Sequence, residues 1–286
     1  MFAKFGPSGN SQSFFDEGYT STLDTFKWVS QRGLELFEYS LGRGITIGSA
    51  AAEVFGAEAA KYGIEISVHA PYFINFASDD PMKAEKSIGY IMSSFKILRA
   101  FGGKRCVFHV GTEGKRNRSE AFSDIKRMFD RLLEAKFEKG YDDLILCPET
   151  MGKLVQIGTV EEIAELCKMD SNLYPCVDFG HINARTGGSL KTEEDFQRII
   201  DKFFDEIGEK KTKNMHVHFS KIEFGDKGEK RHLTFEDTIF GPEFEPFANV
   251  IVKNNLTPHI LSESAGTQAE DALYMKTVYN EILKQK

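Results

Sequence analysis

Cysteine is scarce in this chain: Cys106, Cys147, Cys167 and Cys176 are four residues in 286, and no two form a C-x-x-C pair. A thiolate zinc ribbon, a dithiol redox motif and a disulfide scaffold are thereby excluded. Three of the four sit in apolar, strand-like runs, so buried reduced thiols in a cytoplasmic protein are expected. Long hydrophobic runs are also missing. None approaches the ~18 residues of a membrane span, and the opening MFAKFGPSGN has no basic segment leading into an apolar one. Neither a membrane partner nor a signal peptide is expected. Positive charge is not in excess, since 36 Lys and Arg face 43 Asp and Glu for a net −7, unlike the overall balance of a basic nucleic-acid binder. Tryptophan occurs once against 25 phenylalanines. What remains, 41% hydrophobic and 28% charged, is ordinary globular composition. It excludes a disordered chain, a collagen-like repeat and a coiled coil.

Short apolar runs alternate with longer amphipathic stretches. The short runs are AKFG near residue 3, LELFEYS from Leu34, IEISVHAPY from Ile64, RCVFHVG from Arg105, LILCPET from Leu144, PCVDFGH from Pro175, NMHVHFS from Asn214 and PHILSES from Pro258. All eight are near-continuously apolar, as strands covered on both faces are. Between them, Lys83–Gly102 carries Ile88, Ile91, Met92, Phe95 and Leu98 at helical spacing, and Ala121–Lys139 carries Ile125, Met128, Phe129, Leu132 and Leu133. Thr159 with Glu162, and Thr267 with Glu270, read as capping boxes. Eight strands alternating with helices predict a (β/α)₈ TIM barrel spanning 1–286 as one domain; a doubly wound sheet is the alternative.

The polar exceptions in those strands gather at their carboxyl ends. His69 ends the third strand, His109 the fourth, Glu149 the fifth, Asp178 and His181 the sixth, His216 and His218 the seventh, and Glu263 the eighth. In a barrel these ends form the rim that carries the active site. A single strand-end histidine is most often a satisfied structural residue. Six of the seven histidines at one rim, counting His232 beyond strand seven and mixed with carboxylates, are costly to assemble without cations. Imidazole and carboxylate donors suit zinc, manganese or iron, and their number exceeds one tetrahedral ion, so two or three ions are implied. Glu149 is the candidate bridge in a two-metal phosphodiester site. The loops after the strands add Arg43, Lys115, Arg116, Arg118, Lys153, Arg185, Lys221, Lys227, Lys230 and Arg231. Such a basic rim suits a polyanion despite the net charge.

In order, HAPYFIN (His69 to Asn75), FHVGT, PET at Glu149, D-x-x-H at Asp178 and His181, H-x-x-x-S-K from His216 to Lys221, and Glu263 resemble the endonuclease IV family of apurinic/apyrimidinic endonucleases, within the xylose-isomerase-like barrel group. The resemblance covers essentially the whole chain. It implies a trinuclear Zn2+ centre, with Mn2+ or Fe2+ as substitutes. His69, His109 and Glu149 would hold one ion, and Glu149, Asp178, His216 and Glu263 a second. His181 with Glu229 and His232 would hold the third. It also implies hydrolysis of damaged double-stranded DNA 5′ to an abasic sugar by a monomer. Arg43, Tyr72, Asn75, Lys115, Arg116, His218 and Lys221 would contact substrate, with Tyr72 prying at the lesion.

Three departures from the family pattern stand out. Glu229 and His232 replace D-x-H, His218 and Phe219 replace Asn-Asp, and the loop LGRGITIG keeps only Arg43 as a polar DNA-facing residue. His218, two residues from His216 and so on the same side of a strand, is either a ligand or a substrate contact. The competing enzyme reading is a sugar isomerase or epimerase using one ion on Glu149, Asp178, His216 and Glu263, which leaves His69, His109, His181 and His232 without a task. A nucleic-acid-binding module with a relic site is the non-enzymatic reading, and the intact Glu149 argues against it.

Overall fold

A computed structural model describes residues 2–286. Its strands in chain order are β1 (Lys4–Pro7), β2 (Leu36–Ser40), β3 (Glu65–His69), β4 (Arg105–Phe108), β5 (Ile145–Pro148), β6 (Cys176–Asp178), β7 (His216–Phe219), β8 (Ile222–Gly225), β9 (Gly228–His232) and β10 (His259–Ser262). The helices are α1 (Gln12–Asp16), α2 (Thr22–Gln31), α3 (Ser49–Lys61), α4 (Pro81–Ala100), α5 (Arg118–Glu138), α6 (Val160–Cys167), α7 (Phe179–Arg185), α8 (Glu193–Lys213), α9 (Glu245–Asn254) and α10 (Gln268–Lys284). Strands β1, β10, β7 and β6 form one parallel sheet, and β2, β3, β4 and β5 another. Parallel bridges from Ser8 to Glu38 and from Glu149 to Cys176 join their edges, and the eight strands close into a (β/α)₈ barrel. The doubly wound alternative is thereby excluded.

Closure depends on a missing side chain. A Cβ on Gly6 would stand 1.9 Å from the Leu36 carbonyl oxygen, so only glycine lets β1 approach β2 this closely. The helices begin where local chemistry satisfies their free N–H groups. Asp80 accepts from Met82 N ahead of Pro81, Asn117 accepts from Ser119 N, and Thr159 with Glu162 forms the expected reciprocal box. The second expected box does not form. The Thr267 hydroxyl donates to Asp271 at 2.9 Å, and Ser11 Oγ takes the Ala269 N–H at 2.7 Å, tying the last helix to the loop after β1. The phenylalanine excess has a location: Phe247 on α9 packs on Phe179, Phe196 and Phe219 with ring centroids 4.2, 5.6 and 6.2 Å apart. Phenyl rings there fill the seam between the barrel and its outer helices.

One element was not legible in the sequence. The segment after β7, expected as a loop, is the antiparallel hairpin of β8 and β9. It folds back over the rim, with Lys153 and Gly228 bridged.

Candidate metal centre at the barrel rim

Glu149 follows β5 directly and is 1% exposed. Its Oε2 lies 3.2 Å from His69 Nε2 and 3.1 Å from His109 Nε2, while Oε1 lies 3.1 Å from His218 Nδ1 and 3.5 Å from His181 Nδ1. One carboxylate therefore faces two groups of donors. His69, His109 and Glu149 make the first group, and Glu149, Asp178, His218 and Glu263 the second; in each, the ligand atoms lie within 4.8 Å of one another. His181, Glu229 and His232 make a third group by the same measure, with Glu229 Oε2 3.5 Å from His181 Nε2. The sequence reading put His216 in the second group. The structure puts His218 there instead, because β7 begins at His216, which pairs in register with Cys176 and His259, whereas His218 pairs with Asp178. Two residues of parity put both histidines on one face, but only His218 reaches the rim.

The donors are held as metal ligands are. His69 Nδ1 lies 2.8 Å from the Ala70 carbonyl and His181 Nδ1 lies 2.9 Å from the Thr150 carbonyl. A carbonyl only accepts, so each ring carries its proton on Nδ1 and turns Nε2 toward the cleft. Ser220 Oγ, 2.8 Å from His232 Nδ1, holds the third ring through a hydroxyl that can donate or accept. Asp178 uses Oδ1 to cap α7 through the His181 N–H at 2.7 Å, and its Oδ2 is buried with no hydrogen-bond partner. A buried, unpaired carboxylate oxygen needs a cation or a proton.

Charge follows the same logic. Burial disfavours ionising Glu149, but hydrogen bonds from His109, His218 and His69 and the charge of His218 hold it well below the usual carboxylate range. Burial opposes the charge of His69 and of His181, yet the neighbouring carboxylates, Glu149 for one and Asp178 then Glu149 for the other, push both up to about 9. Asp178 is pushed up by burial, and Glu263 and Glu149 add to the rise against the opposing His181. Imidazolium protons thus balance the carboxylates here, and divalent cations would take their place. The residues present therefore fit a set of divalent ions. Glycine again permits the approach: a Cβ on Gly152 would lie 2.7 Å from Glu229 Cβ, and one on Gly228 2.1 Å from the Gly152 carbonyl oxygen.

The cleft above these donors has a volume of 240 Å³, and Tyr72, Lys153, Met151 and Gln156 are among its walls. Tyr72, 53% exposed, stands at its edge. Other expected substrate contacts prove to be engaged elsewhere. Asn75 Oδ1 accepts from Ala77 N at 3.1 Å and Thr112 N at 3.2 Å, so it holds the loop after β3. Arg116 pairs with Asp79 and Asp124, each at 2.6 Å. Lys221 is buried and donates to the Asp237 carbonyl and to Glu243, each at 2.7 Å. Arg118 is bound to Glu113 and Glu162, Arg185 to the carbonyls of Met151, Lys153 and Leu154, and Lys230 and Arg231 to Glu223. Arg43, Lys115, Lys153 and Lys227 are exposed. These four are the rim cations free of such pairing among the described residues.

Sequence reasoning missed Glu38. It is fully buried in β2, with Oε2 2.8 Å from Ser67 Oγ and its two oxygens 3.0 and 2.8 Å from His216 Nε2 and His218 Nε2. Burial disfavours its charge, but the charge of His218 and the closeness of both imidazoles to its oxygens hold it well below the usual range. The signal was available: an acid inside the strand LFEYS, in phase with Leu36 and Ser40, faces the barrel interior.

Residues 26–277 match a family model described as xylose isomerase-like TIM barrel. An uncharacterized protein of Methanocaldococcus jannaschii is 34% identical over 224 residues, 78% of this chain and 80% of that one. A probable endonuclease 4 of Staphylococcus carnosus is 30% identical over 209 residues, 68% of each chain. The solved structure of a D-tagatose 3-epimerase-like protein superposes with a TM-score of 0.70 at 19% identity, covering 91% of this chain and 93% of the other; that likeness speaks for the fold alone.

Proposed function

The chain belongs to the xylose isomerase-like TIM barrel family, and from that premise and the rim geometry we propose that it is a metal-dependent phosphodiesterase of the endonuclease IV type, cutting double-stranded DNA 5′ to abasic sites. One observation carries this reading: Glu149 divides its two oxygens between two donor groups, and a third group, His181, Glu229 and His232, faces the same cleft. An epimerase needs only the second group. It would leave His69, His109, His181, Glu229 and His232 gathered without a task, at the electrostatic cost of crowding them in one cleft.

Divalent ions held there would supply a hydroxide near neutral pH and stabilise the departing oxyanion. The chain's own groups do the rest. Glu149 fixes the separation of the first two groups, and the Ala70 and Thr150 carbonyls keep His69 and His181 in the ligating orientation. Lys153, on the cleft wall, meets a phosphate beside the one attacked. Arg43, Lys115 and Lys227 contact the backbone further out, and Tyr72 with the neighbouring exposed Phe73 forms an apolar edge that can press against an unstacked step.

The test is a duplex with one abasic site, scored for a nick on its 5′ side, run beside a panel of ketoses and aldoses. Nicking supports the proposal. Sugar interconversion without nicking would replace it with the epimerase reading on Glu149, Asp178, His218 and Glu263.

A further inference from the structure

Beneath the rim lies another group of donors for which the proposed hydrolysis has no use. Cys176 on β6 with His216 and His218 on β7 are fully buried, and each offers a ligand atom within 4.8 Å of the others. Glu38 on β2 adjoins the two histidines, its Oε2 3.0 Å from His216 Nε2 and its Oε1 2.8 Å from His218 Nε2, and is the nearest candidate for a fourth ligand. Two ligands of one zinc ion stand no further apart than their summed bond lengths, about 4.4 Å for a sulfur and a nitrogen. The group is therefore nearly closed already.

Hydrogen bonding does not explain it. Both ring nitrogens of His216, and Nε2 of His218, are buried without a hydrogen-bond partner, because the Glu38 oxygens are near in distance but off the line a donor would need. Orphaned polar atoms of this kind are rare in native interiors. Here they share one spot with a thiol and a carboxylate, and a cation would satisfy one nitrogen of each ring together with the thiol.

We propose that Cys176, His216, His218 and Glu38 form a further metal site inside the barrel, for a zinc-like cation with affinity for thiolate. Thiolate and imidazole donors select zinc over magnesium or calcium. Four protein ligands and no open position are the pattern of a structural site, not a catalytic one. His218 then joins two centres through one ring, with Nδ1 facing Glu149 at 3.1 Å and Nε2 facing Glu38 at 2.8 Å. Binding takes the proton from the Cys176 thiol and, when both centres are filled, the remaining ring proton of His218, both released to solvent. A cavity of 630 Å³ at the opposite mouth of the barrel is lined in part by Ser67, whose hydroxyl donates to Glu38 at 2.8 Å.

Cobalt spectroscopy tests this on the full chain, stripped of metal and reloaded with Co2+ alone. Among the described residues, Cys176 is the one cysteine in any donor group, so a near-ultraviolet thiolate-to-cobalt band reports this site by itself. The rim centre contributes only visible bands. The expected result is a thiolate band in the wild type that is lost in Cys176→Ser and weakened in His216→Ala, with the visible bands kept and the zinc content of Cys176→Ser lower by one ion per chain. Should Cys176→Ser not fold, zinc-edge X-ray absorption of the wild type replaces it, with a sulfur shell at about 2.3 Å expected. Visible bands without a thiolate band, a thiolate band that survives Cys176→Ser, or a zinc edge without sulfur would each overturn this site and leave the rim centre standing. Absence of both kinds of band would overturn both.

Discussion

The rim holds two kinds of donor. Glu149, Asp178 and His69 stand at or directly after the ends of barrel strands, and Asp178 and Glu149 are almost wholly buried. Glu229 and His232 come from the β8–β9 hairpin, are partly exposed, and reach the cleft only through the close approach of Gly152 and Gly228. Strand-borne donors share the rigidity of the barrel. Hairpin-borne donors depend on a two-stranded ribbon, which is marginal by itself. Under the proposed function, this difference assigns the charge-stabilising chemistry to the Glu149 centre and makes the hairpin group the adjustable part.

The strongest way to break that division is Glu149→Gln. If Glu149 spans the two strand-borne groups, nicking falls at least ~10³-fold, about 4 kcal/mol of transition-state stabilisation. Far-UV circular dichroism and most DNA affinity should persist. A loss below tenfold would move the chemical burden to the hairpin group.

Mild chelation gives the next largest effect. One ion should leave ahead of the others, and Glu229→Ala should lose that ion alone by elemental analysis, with affinity at the hairpin site falling on the order of the 10–100-fold seen when even the support of a ligand is removed. Simultaneous release of all ions would show that hairpin and strands form one unit. Gly152→Ala refines the comparison without touching a ligand. Its Cβ would meet Glu229 Cβ at 2.7 Å, so it should loosen the hairpin ion several-fold and leave the ions at Glu149 in place, measured by competition with a chelator.

The same contrast sets what was legible in the sequence. Strands covered on both faces must be apolar along their length, so all eight barrel strands and the (β/α)₈ arrangement could be read from runs such as RCVFHVG and LILCPET. The hairpin could not. Residues 222–232 are polar, short and turn-rich, and their strand pairing is set by docking on the loop after β5 rather than by their own pattern. Among the donors, strand parity places His216 and His218 on one face but says nothing of depth; depth depends on where β7 starts, and sequence locates strand ends poorly. Glu38 stayed hidden because a lone acid in an apolar strand reads as an exception until its partners on β7 are seen. The basic rim was overcounted for a related reason. Sequence reports charge but not partnership, and Arg116, Arg118 and Lys221 spend theirs on neighbouring carboxylates.

That last point yields the smallest expected effect, which is also the one that separates two adjacent cations. Lys115 is exposed and unpaired among the described residues, whereas Arg116 is held by Asp79 and Asp124 at 2.6 Å each. A lysine that neutralises one phosphate contributes about 0.9 to the slope of log K against log salt. Lys115→Ala should therefore weaken binding to an abasic duplex a few-fold at low salt and flatten the slope by about that amount, with Tm unchanged. Arg116→Ala should behave oppositely. It removes a partly buried cation between two acids and so lowers Tm, because the aspartates are left facing each other, while the salt slope of DNA binding stays as in the wild type. A salt slope that drops in Arg116→Ala and not in Lys115→Ala would mean that substrate pulls Arg116 out of its ion pairs. The DNA path would then cross the start of α5, not the loop before it.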